Sequence, residues 1–84
     1  MNKTFHNRGF ADYVYWQNQD RKTLNKINRL LQSIERDGAM NGIGKPEKLL
    51  NRDGYNRHID EQNRLIYDIE NDTIIIKACR GHYD

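Results

Sequence analysis

One cysteine and one proline in 84 residues remove two common ways of stiffening a small domain. Cys79 has no partner within the chain, so the disulfide framework of small exported proteins is excluded and a reducing compartment fits. Long hydrophobic runs are missing as well. The first ten residues, M-N-K-T-F-H-N-R-G-F, contain no apolar signal-peptide core, and no segment approaches a membrane span. A cytoplasmic protein without a membrane partner is expected. There is no G-x-x-x-x-G-K-[ST] and no G-x-G-x-x-G, so a nucleotide cofactor has no cradle. The three histidines, His6, His58 and His82, are far apart, and C-x-x-C and H-E-x-x-H are absent, so neither a cofactor nor a metal is expected. Charge of one sign is also scarce. A net +2 is too small to argue for nucleic acid by itself.

The composition present is 36% hydrophobic and 31% charged, polar for a globular chain but with clear apolar periodicity. No linker or repeat divides it, so residues 1–84 read as one domain. At this length folding buries about 60–65% of the unfolded chain's surface, which leaves a thin core. The basic excess is uneven: Lys and Arg outnumber Asp and Glu by seven to four over residues 1–37, and by five to four over 43–64, whereas the acids lead four to two over 65–84.

A short strand is expected over 3–6. Phe10, Tyr13, Val14 and Gln17 then fall at helical spacing and predict a first helix with that stripe inward. Asp20 offers an N-cap for a second helix, in which Leu24, Ile27, Leu30, Leu31 and Ile34 recur at helical spacing and which Asp37-Gly38 ends. Residues 39–44 read as a loop. Pro46 suits the first position of a short helical turn, with Glu47 at its favourable N-terminal end. Strands are expected over 55–59, 64–70 and 73–80, joined by connections too short for parallel crossovers. The result is an α+β domain, β-α-α-β-β-β, with two helices on one face of a mostly antiparallel sheet.

Taken singly, the residues with useful chemistry have plain explanations. Glu47 fits a helix dipole, Arg64 a solvated strand edge, and His82 and Tyr83 a loose tail. Together they match one reaction. Cutting RNA without a metal needs a base for the 2′-OH proton, an acid for the departing 5′-oxygen and a fixed cation for the phosphorane. A carboxylate, an imidazole and a guanidinium fill those roles, and a tyrosine offers a face for an unpaired base.

D-Y-V-Y-W-Q at 12–17, K-I-N-R-L at 26–30, G-K-P-E at 44–47, R-L-I-Y at 64–67 and A-C-R-G-H-Y at 78–83 resemble, in order and spacing, the YoeB/Txe family of the RelE/ParE toxin superfamily. The resemblance implies a RelE-like, microbial-RNase-type fold and the toxin of a type II toxin–antitoxin system, a ribosome-dependent endoribonuclease that cuts messenger RNA and so inhibits translation. It implies Glu47 as general base, Arg64 as phosphate clamp, His82 as general acid and Tyr83 as a positioning group. Lys45, Lys48, Arg57, His58 and Arg80 would be auxiliary RNA or ribosome contacts. The implied partners are the ribosome with its message and an acidic antitoxin of the YefM/Axe kind, with room for a homodimer. Where the family commonly has two adjacent arginines this chain has Arg57 then His58, so one phosphate contact becomes titratable. Asp84 after the H-Y pair adds negative charge beside the imidazole. A protein of the same fold that occupies the ribosomal site without cutting is the alternative, and a gyrase poison on this scaffold is a more distant one.

Overall fold

The computed structural model describes residues 1–82, so Tyr83 and Asp84 lie outside the described residues. In chain order the elements are β1 (Asn2–Phe5), α1 (Asn7–Gln19), α2 (Arg21–Asp37), β2 (Glu47–Lys48), β3 (Tyr55–His58), β4 (Arg64–Glu70) and β5 (Thr73–Ala78). This is the expected α+β layout with one additional two-residue strand.

Asp20 starts α2 as anticipated: its carboxylate accepts from the backbone N–H groups of Lys22 and Thr23 at 3.0 and 3.4 Å. Gly38, at φ 96°, ends the helix and donates to the Ile34 carbonyl. Between these caps Leu24, Ile27, Leu30, Leu31 and Ile34 are buried. Each large aliphatic side chain taken out of water contributes about 1.5–3 kcal/mol, so this stripe supplies a substantial share of a thin core, the rest coming mainly from the sheet.

The inward face of α1 differs from the expected stripe. Phe10 is 57% exposed, and the buried positions are Gly9 and Asp12. A Cβ on Gly9 would stand 2.2 Å from the Ile76 carbonyl oxygen, so α1 approaches β5 more closely than any side chain allows. With Gly9 inward, the three- and four-residue periodicity turns Asp12, Tyr13 and Trp16 toward the sheet and Phe10 to the rim.

The sheet order is β1-β5-β4-β3-β2, with β1 parallel to β5 and every other pair antiparallel. Direct partners share a face. Tyr55 opposite Tyr67 and Arg57 opposite Leu65 lie under the helices. Glu47 opposite Asn56, Asn56 opposite Ile66 and His58 opposite Arg64 lie on the other side. The main core, including Ile27, Leu30, Ile34, Leu65, Tyr67 and Ile76, fills the helix side, whereas Leu49, Ile66 and Ala78 form a small separate cluster. Among the described residues no helix is long and apolar enough to cross a membrane.

The helical turn expected at Pro46 does not form. Glu47 and Lys48 instead pair with Asn56 and Tyr55. The outer edge of β3 has backbone groups to satisfy, and a strand there satisfies them, which outweighs one helix-favouring proline.

Candidate active site

The loop after α2 delivers Glu47 to the helix-free face. It is held from below by Arg57, which is fully buried. Arg57 Nη1 donates to the Ile43 carbonyl and to Ser33 Oγ, and Nη2 donates to the carbonyls of Gly38 and Asn41, all at 2.7–3.0 Å. Its Nε donates to Tyr67 Oη, which donates in turn to the Ala39 carbonyl. Gly44 follows at φ 87°, its carbonyl accepting from the His58 N–H at 2.6 Å. A Cβ there would meet Leu30 Cδ2 at 2.6 Å, so the chain at this point passes directly over the core. Pro46 then leads into β2 with Glu47 on its open side.

Arg64 opens β4 and is 8% exposed. Nη1 donates to the carbonyls of Asp60 and Asn63 at 2.6 and 3.1 Å, which fixes the guanidinium plane. Nη2 lies 3.2 Å from His82 Nε2. A guanidinium can only donate, so this contact is a hydrogen bond only when Nε2 carries no proton.

His82 reaches Arg64 because the preceding residues are tied down. Asp12 accepts from the Cys79 N–H at 3.0 Å, and Trp16 Nε1 donates to the Cys79 carbonyl at 2.8 Å. Arg8 Nη2 donates to the Arg80 carbonyl at 2.8 Å. The Arg64 N–H donates to the Gly81 carbonyl, and the Gly81 N–H donates to Asn63 Oδ1, both at 2.9 Å. The inward Asp12 of α1 is therefore explained: it caps the end of β5.

Glu47, Lys48, Leu50, Asn56, His58, Arg64 and His82 line one cavity of about 220 Å³. His58 Nε2 is 3.9 Å from Glu47 Oε1. Burial, then the positive charges of Arg64 and Lys45, hold the His58 imidazole below its usual pKa, against the opposing pull of Glu47.

Of the site residues expected from sequence, the cavity thus unites Glu47, Arg64 and His82, with His58 and Lys48 beside them. Lys45 is exposed in the loop and acts on His58 through its charge. Lys48 Nζ sits 5.2 Å above the Tyr55 ring. Arg80 stacks on Tyr15, 3.6 Å from the ring centroid, and does not line the cavity. Arg57 is corrected from an RNA contact to a buried anchor, because its odd register position on β3 points it under the helices. Tyr83 lies outside the described residues. Sequence reasoning missed Asn56, Asn63, Asp12 and Trp16. The short connection D-E-Q-N at 60–63 was legible as a link between antiparallel strands, but nothing local says that its asparagine reaches the C-terminal segment.

Comparison with known proteins agrees with this geometry. Residues 5–83 match the family described as YoeB-like toxin of bacterial type II toxin–antitoxin system. Toxin YoeB of Streptomyces coelicolor is 44% identical, covering 99% of this chain and 100% of that protein. The YoeB dimer from Staphylococcus aureus superposes with a TM-score of 0.93 at 48% identity, covering 99% of this chain and 98% of the other. A heterotetrameric YoeB–YefM toxin–antitoxin complex from Staphylococcus aureus gives 0.92 at 46%, with the same coverage. A match running through both helices, the Glu47 strand and the Arg64–His82 pair leaves one assignment: the chain belongs to the YoeB-like toxins of bacterial type II toxin–antitoxin systems.

Proposed function

We propose that this toxin is a ribosome-dependent endoribonuclease that cuts messenger RNA without a metal. The observation that carries the reading is the convergence of Glu47, Arg64 and His82 on one cavity of the helix-free face. Glu47 takes the 2′-OH proton, and the 2′-oxygen attacks the adjacent phosphorus. Arg64 offsets the charge that builds on the phosphorane oxygens, and its plane is already set by Asp60 and Asn63. His82 protonates the departing 5′-oxygen, leaving a 2′,3′-cyclic phosphate and a 5′-hydroxyl. A phosphate arriving on Arg64 competes for Nη2 and frees His82 Nε2 to take a proton from solvent, the proton it then gives to the departing oxygen. Tyr83 completes the site as a positioning group, and Lys45, Lys48 and His58 meet flanking phosphates. The Staphylococcus aureus relatives support a second copy of the chain and a YefM-like antitoxin as its protein partners.

The test is cleavage mapping of a message by primer extension, with and without ribosomes. The parent should cut only with ribosomes, and Glu47→Gln and His82→Gln should each lose on the order of 10² to 10⁴ in single-turnover rate. A parent that stalls translation without cutting would replace this reading with the ribosome blocker.

A further inference from the structure

We propose that Lys22, Lys26 and Arg29, on the first half of α2, form a track for the phosphodiester backbone flanking the cut in the same RNA strand. The proposal rests on the nuclease reading and adds a second contact surface to it. The three cations sit at i, i+4 and i+7, on one side of the helix and about 6 and 4.5 Å apart along its axis. With Thr23, Ile59 and Asp60 they line a groove of about 370 Å³. None of the ion pairs among the described residues involves these three side chains. Asp60, the one acid of the groove, turns its carboxylate to the N–H groups of Gln62 and Asn63 at 2.8 and 2.7 Å.

The groove and the candidate active site are the two sides of one turn. Ile59 and Asp60 border the groove, His58 lines the cavity, and the Asp60 carbonyl holds Arg64 Nη1. A strand leaving the cavity across residues 59–63 therefore enters the groove, where cations meet its phosphates. A folding antitoxin segment fits less well, because such segments dock through apolar anchors. The groove's apolar contribution is Ile59, only 7% exposed, and the exposed apolar residues Phe10, Met40, Ile43 and Leu50 lie outside it.

The experiment compares the parent with the triple variant Lys22→Gln, Lys26→Gln, Arg29→Gln on ribosomes programmed with messages shortened from either side of the cut. Single-turnover rates are followed against ribosome concentration and salt. The variant should need on the order of tenfold more ribosomes for half-saturation, and its log–log salt slope should flatten by about 2, as expected for three single-strand phosphate contacts. Its saturating rate and melting temperature should match the parent, and Lys22→Arg with Lys26→Arg should keep parental affinity. Shortening the flank that fills the track should weaken the parent by the same factor and leave the variant unaffected. Unchanged half-saturation in the variant overturns the proposal. So does equal sensitivity of parent and variant to shortening, which would give the groove to ribosomal RNA, or a loss confined to affinity for an acidic antitoxin. Failure of the nuclease reading is seen separately, as a parent that binds these ribosomes with the same salt slope and cuts nothing.

Discussion

Arg57 and Arg64 lie on adjacent strands, and both are almost entirely removed from water, at 0% and 8% exposure. Arg57 faces the helices, where three carbonyls following α2 and the Ser33 hydroxyl of α2 take its Nη donors and Tyr67 takes its Nε. Arg64 faces the open side, where two carbonyls hold Nη1 while Nη2 meets His82 across the cavity. The same side chain is thus a buried anchor or a cavity-lining cation depending on which side of the pleat it occupies. A guanidinium surrounded by fixed neutral acceptors is held to them, since moving it would leave the buried Ser33 and Tyr67 hydroxyls and part-buried carbonyls without their donor. One whose plane is set by two bonds and whose other end opens on a cavity is preorganised for an incoming phosphate.

Breaking the anchor has the largest expected effect on stability. Arg57→Met takes the donor from two buried hydroxyls and three part-buried carbonyls and should cost on the order of 3 kcal/mol. For a chain of this size that corresponds to a melting temperature about 10 °C lower or more, read by circular dichroism. The comparison fails if Arg57→Met melts with the parent.

Sharpening the other half, Asn63→Ala removes the acceptor for the Gly81 N–H and loosens the segment that carries His82. The saturating cleavage rate should fall by on the order of tenfold while half-saturation stays at the parental value, because no phosphate contact is lost. A rise in half-saturation with the rate intact would show Asn63 contacting RNA instead.

The smallest effect concerns His58. Its folded pKa is depressed, so the native state binds fewer protons than the unfolded chain. The contribution to stability is present above the ordinary value of 6.5 and is lost as pH falls through the depressed one. His58→Gln should therefore show a shallower fall of melting temperature between about pH 7 and 5 than the parent. Identical slopes would remove His58 from the electrostatics of the cavity.

These differences mark how far the sequence could be read. α2 was legible because five aliphatic residues at helical spacing and the caps Asp20 and Gly38 all act within one element. The meeting of Glu47, Arg64 and His82 in one cavity was legible as a set, since one reaction needs all three groups. The inward face of α1 was not, because Gly9 and Asp12 are buried for reasons located on β5, a close backbone approach and an open strand end. The strand at Glu47 and the burial of Arg57 were likewise decided by β3, whose edge needed a partner and whose pleat sent Arg57 and His58 to opposite faces. Local signals fail where the deciding group comes from a distant part of the chain.

The central claim, that chemistry belongs to the helix-free face and scaffolding to the other, is tested most directly by one paired measurement. Arg64→Gln and Arg57→Met are assayed for single-turnover cleavage on programmed ribosomes, with each rate divided by the folded fraction of the same preparation. The account predicts that Arg64→Gln melts near the parent yet cuts on the order of 10² or more slower, the usual cost of losing one preorganised donor to developing charge. Arg57→Met should lose melting temperature first, and its rate per folded molecule should fall far less than that of Arg64→Gln, because it loosens the loop that delivers Glu47 without removing a group from the cavity. Parental cleavage by folded Arg64→Gln would contradict the account.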